Sequence, residues 1–245
     1  GHHYLLGAFF FGILPFSRVV FGAASDRASE YSELQASLLY HLPGCYAAVV
    51  VPFVASLPFA LASEHLTSHA LVAFTFSLLV LFAMASCVSH ALIHQPPLHR
   101  RLGSVLSAVC AYPWMQYEHL PHHARSRSTD LASSPRLTES GLAFALRRLY
   151  LVPLVSFRFR HSGAGGQAVK NLLDDLYMHL TISLLTWLLF TVVVGAAGFW
   201  IYLACLVLTP MIISLVNYIQ HWCLGEDAAG VLPSARHAAW DDDCQ

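Results

Sequence analysis

The chain opens on an almost unbroken apolar run, Tyr4–Gly22, and the same texture returns at Gly44–Ala62, Ala70–His90, Leu102–Met115 and Leu176–Val216. None of these runs alternates polar with apolar residues at period two, as a half-buried strand does, so each predicts a helix that is apolar around most of its circumference. A helix of about 20 residues crosses the hydrocarbon of a bilayer, and the first three runs meet that length. Leu176–Val216 is about twice as long. Gly195 to Gly198 (Gly-Ala-Ala-Gly) near its middle predicts a tight turn that folds the run into a hairpin of two spans. The expected architecture is an all-α, polytopic membrane helix bundle of about five spans, forming a single domain over residues 1–245. Leu102–Met115 is too short for a span, and its place depends on charge.

Composition supports the membrane assignment. Hydrophobic residues make up 56% of the 245 and charged residues 11%, against about 25% charged in an ordinary soluble domain. Mean hydropathy is +0.57. The net charge of -1 decides nothing, and no basic patch suggests nucleic acid as a partner. All basic residues except Arg18, Arg27 and Arg236 lie between Arg100 and Lys170. The positive-inside rule therefore places the end of the third run, the segment from Arg100 to Lys170 and the chain after the hairpin on the cytoplasmic side. A bacterial inner membrane is the expected setting. Leu102–Met115 has Arg100 and Arg101 ahead of it and Arg125 and Arg127 behind, so both its ends belong on that one face. It predicts a short re-entrant or interfacial helix, which is tolerated at membrane depth only where protein surrounds it.

Histidine is the compositional anomaly: 15 residues, against 13 Lys+Arg. The six cysteines form no CxxC pair and predict neither a disulfide framework nor a thiolate metal site. Three histidine groups fall on the predicted cytoplasmic side. His90-Ala-Leu-Ile-His94 puts two rings on one helix face at spacing i, i+4, although with this many histidines about one HxxxH pair arises by chance. His119-Leu-Pro-His122-His123 is a much rarer pattern, and the adjacent Glu118 is expected to hydrogen-bond and orient a ligating ring. His221 closes Asn217-Tyr-Ile-Gln-His221. A lone histidine at a helix end is more often a dipole cap than a ligand, but this one shares its depth with the other two groups. Imidazole-rich, cysteine-free sites suit iron, zinc or copper, and six histidines exceed one tetrahedral ion and suggest two. Their position at helix ends disfavours haem. His179 is expected to be a satisfied buried polar residue, and His237 is undecided between a solvated tail and a ligand.

These residues together resemble the membrane fatty-acid desaturase and hydroxylase superfamily, and within it the membrane-bound alkane monooxygenases. Thr129–Ser140 is similar to that family's Asp-Pro-Ala-Ser segment ending in Gly-Glu-Ser. Asn217–Leu224 resembles its NYxEHYGL signature, and Arg236–Asp241 its HSWNS segment. The resemblance implies a bundle of six transmembrane helices around two iron ions held by His90, His94, His119, His122, His123 and His221, with His237, Asn217 and Trp240 as further contributors. It implies O₂ as co-substrate, electrons from rubredoxin or ferredoxin and its reductase, and an alkyl-chain or fatty-acyl substrate drawn from the membrane lipid phase. It also implies a helix ahead of Gly1 and a further histidine box after Trp240, so the chain is expected to be an internal fragment. Three features depart from the alkane monooxygenase pattern: Ala91 replaces a glutamate, Glu118–His123 is one residue short, and His221-Trp-Cys replaces His-Tyr-Gly.

The expected reaction is terminal hydroxylation of an alkane or fatty-acyl chain, with fatty-acyl desaturation or decarboxylation on the same scaffold as the alternative. The substrate channel is expected between Ala70–His90 and the hairpin. Arg125 and Arg127 are candidates for docking an acidic electron carrier, with positive-inside anchoring an equally good account. A membrane metal-binding or transport protein is the reading from a different class. It would call for polar residues within the spans, which Leu176–Val216 largely lacks.

Overall fold

The computed structural model describes residues 5–21, 32–63, 67–124, 135–136, 138–161 and 167–221. Among them helix follows helix with no strand. A short α1 (Leu5–Ala8) passes through a π-helical turn (Phe9–Ile13) into α2 (Leu14–Phe21). After it come α3 (Glu33–Ala62), α4 (Ser68–Ile93), α5 (Pro97–Val109), α6 (Met115–Ala124), α7 (Gly141–His161), α8 (Gln167–Val194) and α9 (Ala196–His221). Four stretches are long and apolar enough to cross a membrane: α3, α4, Asp175–Val194 of α8, and Ala196–Gln220 of α9. Their outward sides carry Phe53, Val72, Leu185, Val192 and Trp200, all exposed. Apolar faces of this length belong in lipid. The chain is an integral membrane protein built as an all-α bundle.

Sequence and structure differ in detail along the spans. Over the first expected span the described helix runs Leu5–Phe21 through α1, the π-helical turn and α2, and its apolar part covers Leu5–Ser17. The second is longer than its apolar run, because α3 begins at Glu33 rather than Gly44. A capping box starts it there. The Ser32 hydroxyl accepts from the Gln35 N–H at 3.3 Å, and the Gln35 amide oxygen accepts from the Ser32 N–H at 2.9 Å. The expected turn at Gly195–Gly198 contracts to Gly195 alone, which adopts φ +75 between α8 and α9, a left-handed conformation that glycine takes without steric cost.

Within the Leu102–Met115 segment the chain reverses, with α5 ending at Val109 and α6 leading back from Met115. α5 descends against α4, and the Ser89 hydroxyl donates to the Gly103 carbonyl at 2.6 Å. The helix ends at Val109 in a Schellman closure: Tyr112 N–H reaches Ser107 O at 2.8 Å and Ala111 N–H reaches Ala108 O at 3.3 Å, with Ala111 at φ +63. Backbone groups exposed by such a reversal must be satisfied within the protein. Ser183 of α8 donates to Ala108 O at 2.5 Å, and Tyr202 of α9 donates to Val109 O at 3.0 Å. Tyr202 in turn packs on Phe82 and Phe190 in the core that joins α3, α4, α5, α8 and α9. The return leg is tied back where Ser104 hydrogen-bonds the Gln116 side chain. α6 thus rises toward the end of α4.

Candidate metal centre

Three consecutive residues of α6 leave the helix in three directions, as the 100° step per residue requires. Tyr117 meets His179 of α8, with the phenol oxygen 2.8 Å from Nδ1. Glu118 pairs with Arg148 of α7. His119 meets the end of α4, its Nε2 lying 2.6 Å from that of His90 and 2.9 Å from that of His94. His90 sits in the last turn of α4 and His94 caps it, so the i, i+4 pair presents both rings to the incoming α6.

The three imidazoles fit a cation better than they fit one another. A neutral imidazole carries one N–H, and a single Nε2 cannot satisfy two others at once. Two nitrogens bound at right angles on a metal, each at about 2.1 Å, stand about 3 Å apart, close to both spacings here. The ligand atoms of all three rings lie within 4.8 Å of one another. The carboxyl end of α4 adds the negative pole of a helix dipole. His90 and His94 are exposed and His119 half-buried, so the group is open to an entering ion.

Glu118 has partners other than a histidine ring. Its carboxylate is bonded by the Tyr112 hydroxyl and paired with Arg148. Arg148 is 2% exposed, lies over the Phe144 ring at 5.3 Å and donates Nε–H to the Ser214 hydroxyl of α9 at 3.0 Å. Burial pulls its pKa below the ordinary guanidinium value, opposed by Tyr112. This buried group ties α6, α7 and α9 together, starting one residue from His119. Arg148, Ser214 and Tyr112 also form the polar side of a cavity whose apolar wall includes Trp114, Val152, Leu206 and Pro210. This small cavity lies between α7, α9 and the Cys110–Trp114 turn.

The end of α9 is tied down by the segment before α7. Tyr218, next to Asn217, donates its hydroxyl to the Glu139 carbonyl at 2.7 Å and packs on Phe144. Arg147 forks onto the Glu139 carboxylate at 2.6 and 2.7 Å. Burial alone would raise Glu139, but the Arg147 fork and the Arg136 N–H hold it below the usual carboxylate range. Asn217 is half-buried one turn before His221, which closes α9. Backbone position is what is described for His221, and likewise for His122 and His123, which continue α6 at i+3 and i+4 from His119. His237, Trp240, Arg125 and Arg127 lie outside the described residues, as does most of the Thr129–Ser140 segment.

His41 and His99 stack on each other beside Tyr40 rather than joining the metal group. Cys110 and Cys205 are free and buried, consistent with small apolar side chains. The residues that sequence reasoning passed over are Tyr112, Tyr117 and Arg148. For Arg148 the signal was available, in the apolar flanks of Phe144-Ala-Leu-Arg-Arg-Leu-Tyr150.

A family model described as fatty acid desaturase matches residues 66–243, from the start of the α4 region through the end of α9 and beyond. The chain belongs to the fatty acid desaturase family. It is also 30% identical over 152 residues to alkane 1-monooxygenase 2 of Pseudomonas aeruginosa, an alignment covering 59% of this chain and 40% of that protein. The chain therefore spans well under half the length of this relative. Both names are those of oxidoreductases, the class expected from the sequence. Family membership implies iron and O₂ in general terms, and the group of His90, His94 and His119 is compatible with iron.

Proposed function

We propose that this protein is a non-haem di-iron membrane oxygenase that uses O₂ to oxidise an alkyl chain, by terminal hydroxylation of an alkane or fatty-acyl group. The observation that carries the reading is the convergence of three Nε2 atoms from α4 and α6 at 2.6 and 2.9 Å. His90, His94 and His119 hold one iron. His122, His123 and His221 are the candidates for a second iron, with Asn217, His237 and Trp240 as further candidates. Bound there, the irons supply the activation of O₂ against an aliphatic C–H bond.

The chain's own residues do the rest. Glu118 is a positioning residue: its tie to Arg148 fixes the pitch of α6 and hence the reach of His119. The apolar spans α4, α8 and α9 supply the hydrocarbon surroundings an alkyl chain needs. The helices exclude water from that chain, and the open side of the imidazole group admits electrons from rubredoxin or ferredoxin, served by its reductase. The centre faces the cytoplasm of a bacterial inner membrane.

Desaturation or decarboxylation of a fatty-acyl chain is the second reading. The short spacing Glu118–His123 favours it, since that is the desaturase form of the box. Turnover decides. Full-length protein in bilayer discs, given reduced electron carrier, ¹⁸O-labelled O₂ and deuterated alkanes or acyl chains, should yield an alcohol carrying one atom of labelled oxygen. An alkene, or an alkene one carbon shorter, points to the second reading. Absence of any O₂-dependent product contradicts both.

A further inference from the structure

Tyr117 and His179 form a polar pair for which the metal centre as described gives no reason. His179 is 2% exposed on α8, and its Nδ1 stands 2.8 Å from the Tyr117 hydroxyl on α6. Its Nε2 is buried and has no hydrogen-bond partner among the described residues. Buried polar atoms in native proteins are nearly always paired, and leucine would fill a comparable volume on this apolar helix without leaving an orphan nitrogen. What histidine adds is the bond from Nδ1 to Tyr117.

That bond acts on α6 close to the metal group. α6 is a helix of 10 residues that follows the Cys110–Trp114 turn, and its own length does little to fix its rotation. Rotation about its axis moves Tyr117, Glu118 and His119 together, because the three stand 100° apart. Bringing His119 to two other nitrogens at 2.6 and 2.9 Å demands that this rotation be set closely. Gln116 supplies one restraint, toward Ser104 of α5, Glu118 a second, toward α7, and Tyr117 a third, toward α8.

We propose that His179 is a positioning residue of the metal centre: through Nδ1 it holds the Tyr117 hydroxyl, and so sets the rotation of α6 that delivers His119 to His90 and His94. The proposal rests on the reading of those three imidazoles as metal ligands. It assigns the work to Nδ1 and none to Nε2, and the two amide substitutions separate the nitrogens. Asparagine carries its amide near the position of Nδ1, glutamine near that of Nε2.

The experiment is a cobalt(II) titration of the full-length apoprotein in detergent, comparing the wild type with Tyr117→Phe, His179→Gln and His179→Asn. Cobalt absorption reports the number and arrangement of imidazole ligands without catalytic turnover. Outer partners of metal ligands change affinity by about 10- to 100-fold when removed. Tyr117→Phe and His179→Gln should each weaken cobalt binding by about 10-fold and shift the absorption bands, and His179→Asn should restore both to within about threefold of the wild type. Unchanged affinity and bands in Tyr117→Phe and His179→Gln overturn this proposal alone, as does a His179→Asn no better than His179→Gln. A wild-type protein that gives no imidazole–cobalt bands overturns the metal reading and this proposal with it.

Discussion

Ser89 of α4 donates its hydroxyl to the carbonyl of Gly103 on α5 at 2.6 Å, one residue before His90. The approach is close because Gly103 has no side chain: a Cβ there would lie 2.7 Å from Leu92 Cβ and 2.9 Å from Ser89 O. Small residues allow helices in membranes to meet in this way. Gly103→Ala forces α5 away from α4 at the level of the first histidine pair. Overpacking of this kind costs about 1–3 kcal/mol. Gly103→Ala should lower the melting temperature in detergent and reduce bound metal, whereas Gly12→Ala, with nothing within 4 Å of its Cβ, should change neither.

Arg148 and Glu118 should behave as a unit. Removing one partner of a buried ion pair leaves the other uncompensated and costs about 3–5 kcal/mol, whereas replacing both can be nearly neutral. Arg148→Met is therefore expected to be more destabilising than Arg148→Met combined with Glu118→Gln, as read by thermal melts of the purified protein. Additive losses in the double variant would show that the pair is not coupled.

The tie between Glu139 and Arg147 predicts a dependence on acid. Glu139 is held below its ordinary value in the fold, so its contribution to stability is complete above the unfolded value of about 4.3. That contribution is lost as pH falls through the lower, folded value. The stability advantage of the wild type over Glu139→Gln should be constant from neutral pH to about pH 5 and shrink below the unfolded value of about 4.3. An advantage that grew on acidification would contradict the assignment.

Much of this was legible in the sequence. The apolar runs that form α4 and the α8–α9 hairpin stand out because lipid-facing helices need no polar face, and Gly195 marks the turn between them. The reversal between α5 and α6 followed from arginines on both flanks of a run too short to span. His90, His94 and His119 could be grouped because helical spacing and a shared membrane side are both sequence properties. Other features could not be read this way. α7 carries Arg147 and Arg148 amid leucines, and whether such a helix faces solvent or buries its charges depends on partners outside the helix, here Glu139 just ahead of it and the distant Glu118 and Ser214. The use of Tyr117 depends on the rotation of α6, which no local pattern encodes. Glu118 illustrates the limit: its neighbourhood to His119 suggested a bond to a ligand, but the helical step turns it toward Arg148 instead.

His99 provides an internal contrast for the metal reading. It stacks on His41 and lies beside Tyr40, so His99→Ala should leave metal content unchanged although it removes a histidine five positions from His94. Loss of metal in that variant equal to the loss in His94→Ala would mean that the group is wider than the three converging rings.

The central claim is that His90, His94 and His119 hold iron. The most direct measurement is the iron content of the full-length protein, purified from iron-supplemented cells, for the wild type and for His119→Ala. The account predicts about two irons per wild-type chain, following the count of histidine ligands a single ion cannot use, and loss of at least one in His119→Ala. Zinc in place of iron in the wild type, or an iron content that His119→Ala leaves unchanged, would contradict it.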